Sequence, residues 1–172
     1  MSNVAVTWTV ADGESPVTSA GGTASASVTV KRDATAPAIA FSGNAGNYTV
    51  DQTVAISCAA SDAMSGLAST SCPAASGAAY SFGVGTQNLS ASAADRAGNA
   101  SSASAQFTVQ VTSGSLCALV ERWVSQKGVA NSMCKQLQNG AYEAFRNHVS
   151  AQSGKFVSAA NAAILISLSR LL

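Results

Sequence analysis

The chain has 172 residues, enough for one or two domains with a real core in each. Only 10% of them are charged, against a usual figure of about 25%. A net charge of +1 and no basic run longer than Lys31-Arg32 leave no electrostatic footprint for nucleic acid or an anionic membrane surface. No apolar stretch reaches the ~18–20 residues of a bilayer span, and the run from Ala162 to Leu168 is too short.

Residues 1–112 alternate apolar and polar positions in short runs broken by Gly, Ser, Thr and Asn, the pattern of a β-sandwich. A repeat is hidden there. Val4-Ala5-Val6-Thr7-Trp8-Thr9-Val10-Ala11-Asp12 matches Val54 to Asp62 at an offset of fifty residues, and Ala20 to Ser27 matches Ala97 to Ser104 at seventy-seven. The first copy, residues 1–32, therefore keeps an opening strand (4–10) and a closing strand (24–30) and lacks the twenty-seven residues between them. Two strands cannot bury their own apolar face. They must dock on the neighbouring unit, pair with another chain or remain loose, and self-association by strand addition through 4–10 and 24–30 is the sharper expectation.

Residues 33–112 form the complete β unit, with strands expected near 37–41, 48–59, 67–72, 78–82, 86–94 and 103–111. Asn44–Asn47 and Asp95–Asn99 read as turns, since Gly and Asn tolerate positive φ. Thr112-Ser113-Gly114-Ser115 is a linker, after which the hydrophobic period becomes helical. Leu116, Leu119, Val120, Trp123 and Val124 share one face, with Gly128 as the expected stop. Asn131 is the expected cap of a second helix through Leu137. Tyr142, Phe145 and Val149 form a third stripe closed by Gly154. Ser158 caps a last helix carrying Ala162, Leu165, Leu168 and Leu172. Residues 113–172 thus form a small three- to four-helix module, and the fold class is β then α.

The four cysteines fall as two local pairs, Cys58/Cys72 in the β unit and Cys117/Cys134 in the helical one. With no C-x-x-C and one histidine, His148, zinc binding would be short of ligands. Two structural disulfides are the better reading and place the chain in an oxidising, extracellular or surface compartment. The competing reading is four buried thiols in a cytosolic protein. Met1-Ser2-Asn3 shows no signal peptide, so export needs another route or a leader already removed.

Asp33-Ala34-Thr35-Ala36-Pro37, Cys58 through Ser61-Asp62-Ala63-Met64-Ser65-Gly66-Leu67 to Cys72, and Ala94-Asp95-Arg96-Ala97-Gly98-Asn99 resemble the bacterial immunoglobulin-like repeats of secreted and surface proteins. Ala130 to Leu137, Gln152-Ser153-Gly154-Lys155 and the closing helix make residues 116–172 similar to FIMAH-type C-terminal helical modules. The resemblance implies an immunoglobulin-like sandwich at 33–111, a truncated repeat before it and a helical terminus. It carries over no activity.

In a seven-strand sandwich the entry linker, the B–C loop and the F–G loop share one pole. Asp33, Asp62, Asp95 and the amide of Asn99 are therefore a candidate oxygen-ligand set for Ca²⁺, the alternative being that each caps its own turn. No G-x-S-x-G, Walker A or H-E-x-x-H motif occurs. Asp12 and Glu14 are close in sequence without a cleft to serve. The expected role is non-enzymatic: a structural or spacer module. The alternative is an accessory module that binds surface carbohydrate or a protein.

Overall fold

The computed structural model describes the backbone of residues 2–9 and 25–172, and the side chains from residue 32 onward. Asp12 and Glu14 lie outside the described residues, and the side chain of Trp8 is likewise not described. By contacts the chain forms two compact units. One comprises Met1–Ile39, Ala60–Ser71 and Ser92–Ser102, the other Ala40–Ala59, Cys72–Ala91 and Ala103–Leu172. Secondary structure changes from strand to helix at the expected place, between Gln110 and Ser113. No helix among the described residues is long and apolar enough to cross a membrane.

At the start, β1 (Ser2–Thr9) and β2 (Ser25–Arg32) form an antiparallel two-stranded sheet, with Val4 opposite Val30 and Val6 opposite Val28. The repeat offsets equate β1 with β5 (Thr53–Ser61) and β2 with β9 (Ala100–Gln110). Those two counterparts lie in different sheets, whereas β1 and β2 are direct neighbours. β1 and β2 thus pair directly, where their sequence counterparts do not.

The other seven strands make two sheets. The three-stranded sheet has the order β3 (Ala38–Ser42), β5, β7 (Ala75–Ala78), and the four-stranded one β4 (Asn47–Thr49), β9, β8 (Gly85–Asp95), β6 (Leu67–Ser71). β5 shows why it is a strand: Val54 and Ile56 are buried while Thr53, Ala55 and Ser57 are exposed. The segment 48–59, expected as one strand, is two. Thr49 Oγ1 donates to the Asp51 carboxylate, Gln52 Oε1 accepts from Thr49 N, and Gln52 N donates to Thr49 O. This polar turn separates β4, parallel to β9, from β5 in the other sheet. The expected strand 78–82 is instead a 3-10 turn at Ala79–Phe82, stabilised by Ser81 Oγ donating to Ala78 O. Gly43 (φ 78°) sits where any Cβ would collide with the carbonyl oxygen of Ala55, so only glycine fits there.

Four helices follow: α1 (Ser113–Trp123), α2 (Lys127–Gln138), α3 (Tyr142–Gln152) and α4 (Ala159–Ser169). α1 contacts α2 and α4, and α3 contacts α2 and α4. Two expected boundaries move. Gly128 lies inside the first turn of α2, and the N-cap is Gln126, not Asn131; its Oε1 accepts from Val129 N at 2.5 Å. α1 stops at Trp123 because Ser125 turns away, its N–H bound to Phe156 O at 2.8 Å. Ser158 caps α4 as expected, accepting from Asn161 N. Leu172 falls beyond that helix and is exposed.

Within the second unit one core serves strands and helices together. Tyr48, Val54, Ile56, Phe107 and Val109 belong to the same buried cluster as Leu116, Leu119, Met133, Leu137, Phe145 and Leu165. Edge-to-face ring pairs run through it, Tyr48–Phe107 at 5.7 Å, Phe82–Phe107 at 5.6 Å and Tyr80–Trp123 at 5.3 Å. The last joins the 3-10 turn to α1, and Arg122 Nη2 adds a bond to Asp51 O at 3.1 Å. Both disulfides form. Cys58–Cys72 ties β5 to the residue after β6, and so one sheet to the other; Cys117–Cys134 ties α1 to α2.

Candidate functional site

Asp33, Asp62, Asp95 and Asn99, 66 residues apart from first to last, all fall in the first unit. The three aspartates each place a carboxylate oxygen within 4.8 Å of the others. Asp95 is almost wholly buried and the other two are half-buried. Each carboxylate is nevertheless engaged by local N–H donors. Asp62 Oδ1 accepts from the backbone of Met64, Ser65 and Gly66 at 3.1, 2.9 and 2.8 Å. Asp33 accepts from Thr35 N with one oxygen and from Ser65 N with the other.

Asn99 joins the cluster in a different capacity from the expected one. Its Nδ2 faces inward, donating to Asp95 Oδ2 at 2.7 Å, Asp33 O at 3.3 Å and Thr35 O at 3.4 Å. Three surrounding acceptors require a donor there, so the amide nitrogen, not the oxygen, meets the Asp95 carboxylate and the carbonyls of Asp33 and Thr35. Its backbone N–H also binds Asp95 Oδ1. As a candidate Ca²⁺ site the set offers three carboxylates, the hard oxygen donors that Ca²⁺ takes, without the amide oxygen of Asn99.

The same bonds act on proton affinity. Asp33 is held below the ordinary 3.8 by Thr35 N–H and by the side chain and backbone of Ser65, against partial desolvation and the Asp95 charge. Burial alone would raise Asp95, but bonds from Asn99, Ala97 and Ser65 together bring it below 3.8. Folded values below the unfolded one mean that this knot stabilises the fold above about pH 3.8. The contribution is lost as pH falls through the depressed values.

Asp62→Ala strips the N–H groups of Met64 and Gly66 of their acceptor and leaves Ser65 N with Asp33 alone, and is expected to cost about 1–2 kcal/mol in urea denaturation. Asp62→Asn keeps an acceptor oxygen and should retain most of that stability. Melting in millimolar calcium and in chelator should give the same midpoint. A calcium-dependent rise, abolished in both variants, would instead assign the pole to an ion.

The second grouping of potential ligands, Cys117, Glu121 and Cys134, offers no thiolates because the two sulfurs are bonded to each other. His148 is half-buried and its Nδ1 lies 3.2 Å from Gln136 Oε1, a contact between α3 and α2.

Two depressions lie in the helical part. One of about 400 Å³ is lined by Glu121, Val124, Ser125, Lys127, Ala130 and Asn131. Another of about 310 Å³ is lined by Trp123, Ser125, Lys155, Phe156 and their neighbours. Phe156, 39% exposed, was not singled out by periodicity because it sits in a loop between stripes. Comparison with known proteins finds no matching family model, curated protein or solved structure.

Proposed function

We propose that this chain is a non-catalytic structural or spacer module of an extracellular or surface protein, its β part of the immunoglobulin-like repeat type and its helical part of the FIMAH type. The observation that supports this most is the placement of the two disulfides, one in the strands and one in the helices. Such staples persist where thiols are oxidised. The common core of strands and helices in the second unit suits a spacer, since load applied to one part is borne by the other.

The test is peptide mapping without reduction of protein isolated from its native cells, with protease accessibility on intact cells. Cys58–Cys72 and Cys117–Cys134 peptides from an accessible protein are expected. Free thiols in a protease-protected protein would overturn the reading.

Self-association through β1 and β2 belongs to the same reading. It is supported by their pairing with each other in a sheet separate from the two larger ones. Sedimentation across a wide concentration range should show species heavier than the monomer; a monomer throughout removes strand addition.

A further inference from the structure

We propose that the end of the helical bundle where α1 meets α2 and α3 meets α4 is a binding groove for an acidic polysaccharide. The two depressions share Ser125, whose N–H and Oγ both donate to Phe156 O, at 2.8 and 3.2 Å. That link locks the 124–126 loop to the 153–158 loop. The second loop is itself braced, Gly154 N bonding to Val157 O and both Lys155 N and Phe156 N to Gln152 O. Gly154 takes the positive φ (77°) that the reversal needs. Phe156 is thus presented on a firm frame, while the adjacent Val157 is buried.

An aromatic ring held out in this way offers its face to the C–H side of a sugar ring, with half-buried Trp123 beside the same groove. Hydroxyls of Ser125 and Ser158 and the amide of Asn131 supply hydrogen-bonding groups around it. Both depressions are of small-ligand size, and their junction at Ser125 suits an extended chain.

Charge selects the acidic kind of sugar. Lys127 and Lys155 line the two depressions and are exposed, and Arg122 is exposed close by in sequence. Glu121 is the one acidic residue lining them. The bias extends to the whole module, because residues 113–172 hold six of the basic residues and two of the acidic ones, while residues 33–112 hold one basic and four acidic. A polymer of uronic acids presents a carboxylate on every ring and so meets both lysines while stacking on Phe156. A protein partner would seek a deep apolar pocket for an anchor side chain, and the depression beside Phe156 is open and lined mainly by polar surface.

This inference does not depend on the spacer reading. Titration calorimetry of the full chain with a hexameric oligogalacturonate at low salt tests it. Neutral cellohexaose and a poly-glutamate peptide of equal charge serve as comparisons. Saturable binding of the acidic sugar is expected, weakened about tenfold by Phe156→Ala and by the pair Lys127→Gln/Lys155→Gln, and weakened by added salt. These side chains are exposed, so both variants should melt with the parent protein. Absence of saturable binding, indifference to both substitutions, or equal binding of the peptide would each overturn it; the last would reduce the groove to a charged surface.

Discussion

Phe107→Ala is expected to remove about 3–5 kcal/mol of stability, the usual cost of emptying a buried aromatic site, and to loosen strands and helices together. Phe107 is 1% exposed and touches the rings of both Tyr48 and Phe82. Phe82 and Tyr80 share the 3-10 turn at Ala79–Phe82, and Tyr80 carries the contact on to Trp123 of α1. A cavity at Phe107 therefore sits within the one cluster that also holds Leu119, Met133 and Phe145. Hydrogen exchange read by mass spectrometry separates the outcomes. Amides of β4, β5 and β9 and those of α1 and α2 should lose protection by the same factor. Helices that keep their protection while the strands lose it would show two independent cores.

That shared core was the least legible feature in the sequence. The helical stripe Leu116, Leu119, Val120 and the strand alternation Val54, Ile56 each announce an inward face, and periodicity says nothing of what the face meets. The link runs through Tyr80 and Phe82, in a segment whose apolar residues pass equally for strand. Its 3-10 form depends on Ser81 bonding back to Ala78 and on Gly83 (φ 85°).

The strand–helix order and both cysteine pairings were legible, because each pair is local and each period is unmixed. Helix ends were legible where the cap is Ser158 and not where it is Gln126, a residue type with little capping preference. In the same way the three aspartates could be placed at one pole from loop order alone. The inward nitrogen of Asn99 could not be placed, because it answers to carbonyls of residues 33 and 35, far away in the chain.

Removing either disulfide is the second large perturbation. The sequence separations of 14 and 17 residues put the chain-entropy contribution of each near 3 kcal/mol. For a chain of this size such a loss corresponds to a fall in melting midpoint of about 6–12 °C. Their surroundings differ, however. Cys117–Cys134 is packed among Leu119, Met133 and Leu137, so the helices retain a large apolar contact once the bond is gone.

Cys58–Cys72 lies where the strands carry small side chains. β6 is largely exposed, and the buried positions of β8 above Leu89 are Ala91, Ala93 and Asp95. Alanines bury little area, and burial yields only about 25 cal/mol per Å². The bond there replaces core that the sequence does not supply. Cys58→Ala/Cys72→Ala should therefore release β6 and the end of β5 to local opening, seen as lost exchange protection well below the melting midpoint. Cys117→Ala/Cys134→Ala should lower the midpoint while leaving the helices protected at 25 °C. The reverse pattern would mean that the helical bundle, not the alanine-rich end of the strands, is the part that depends on its sulfur bridge.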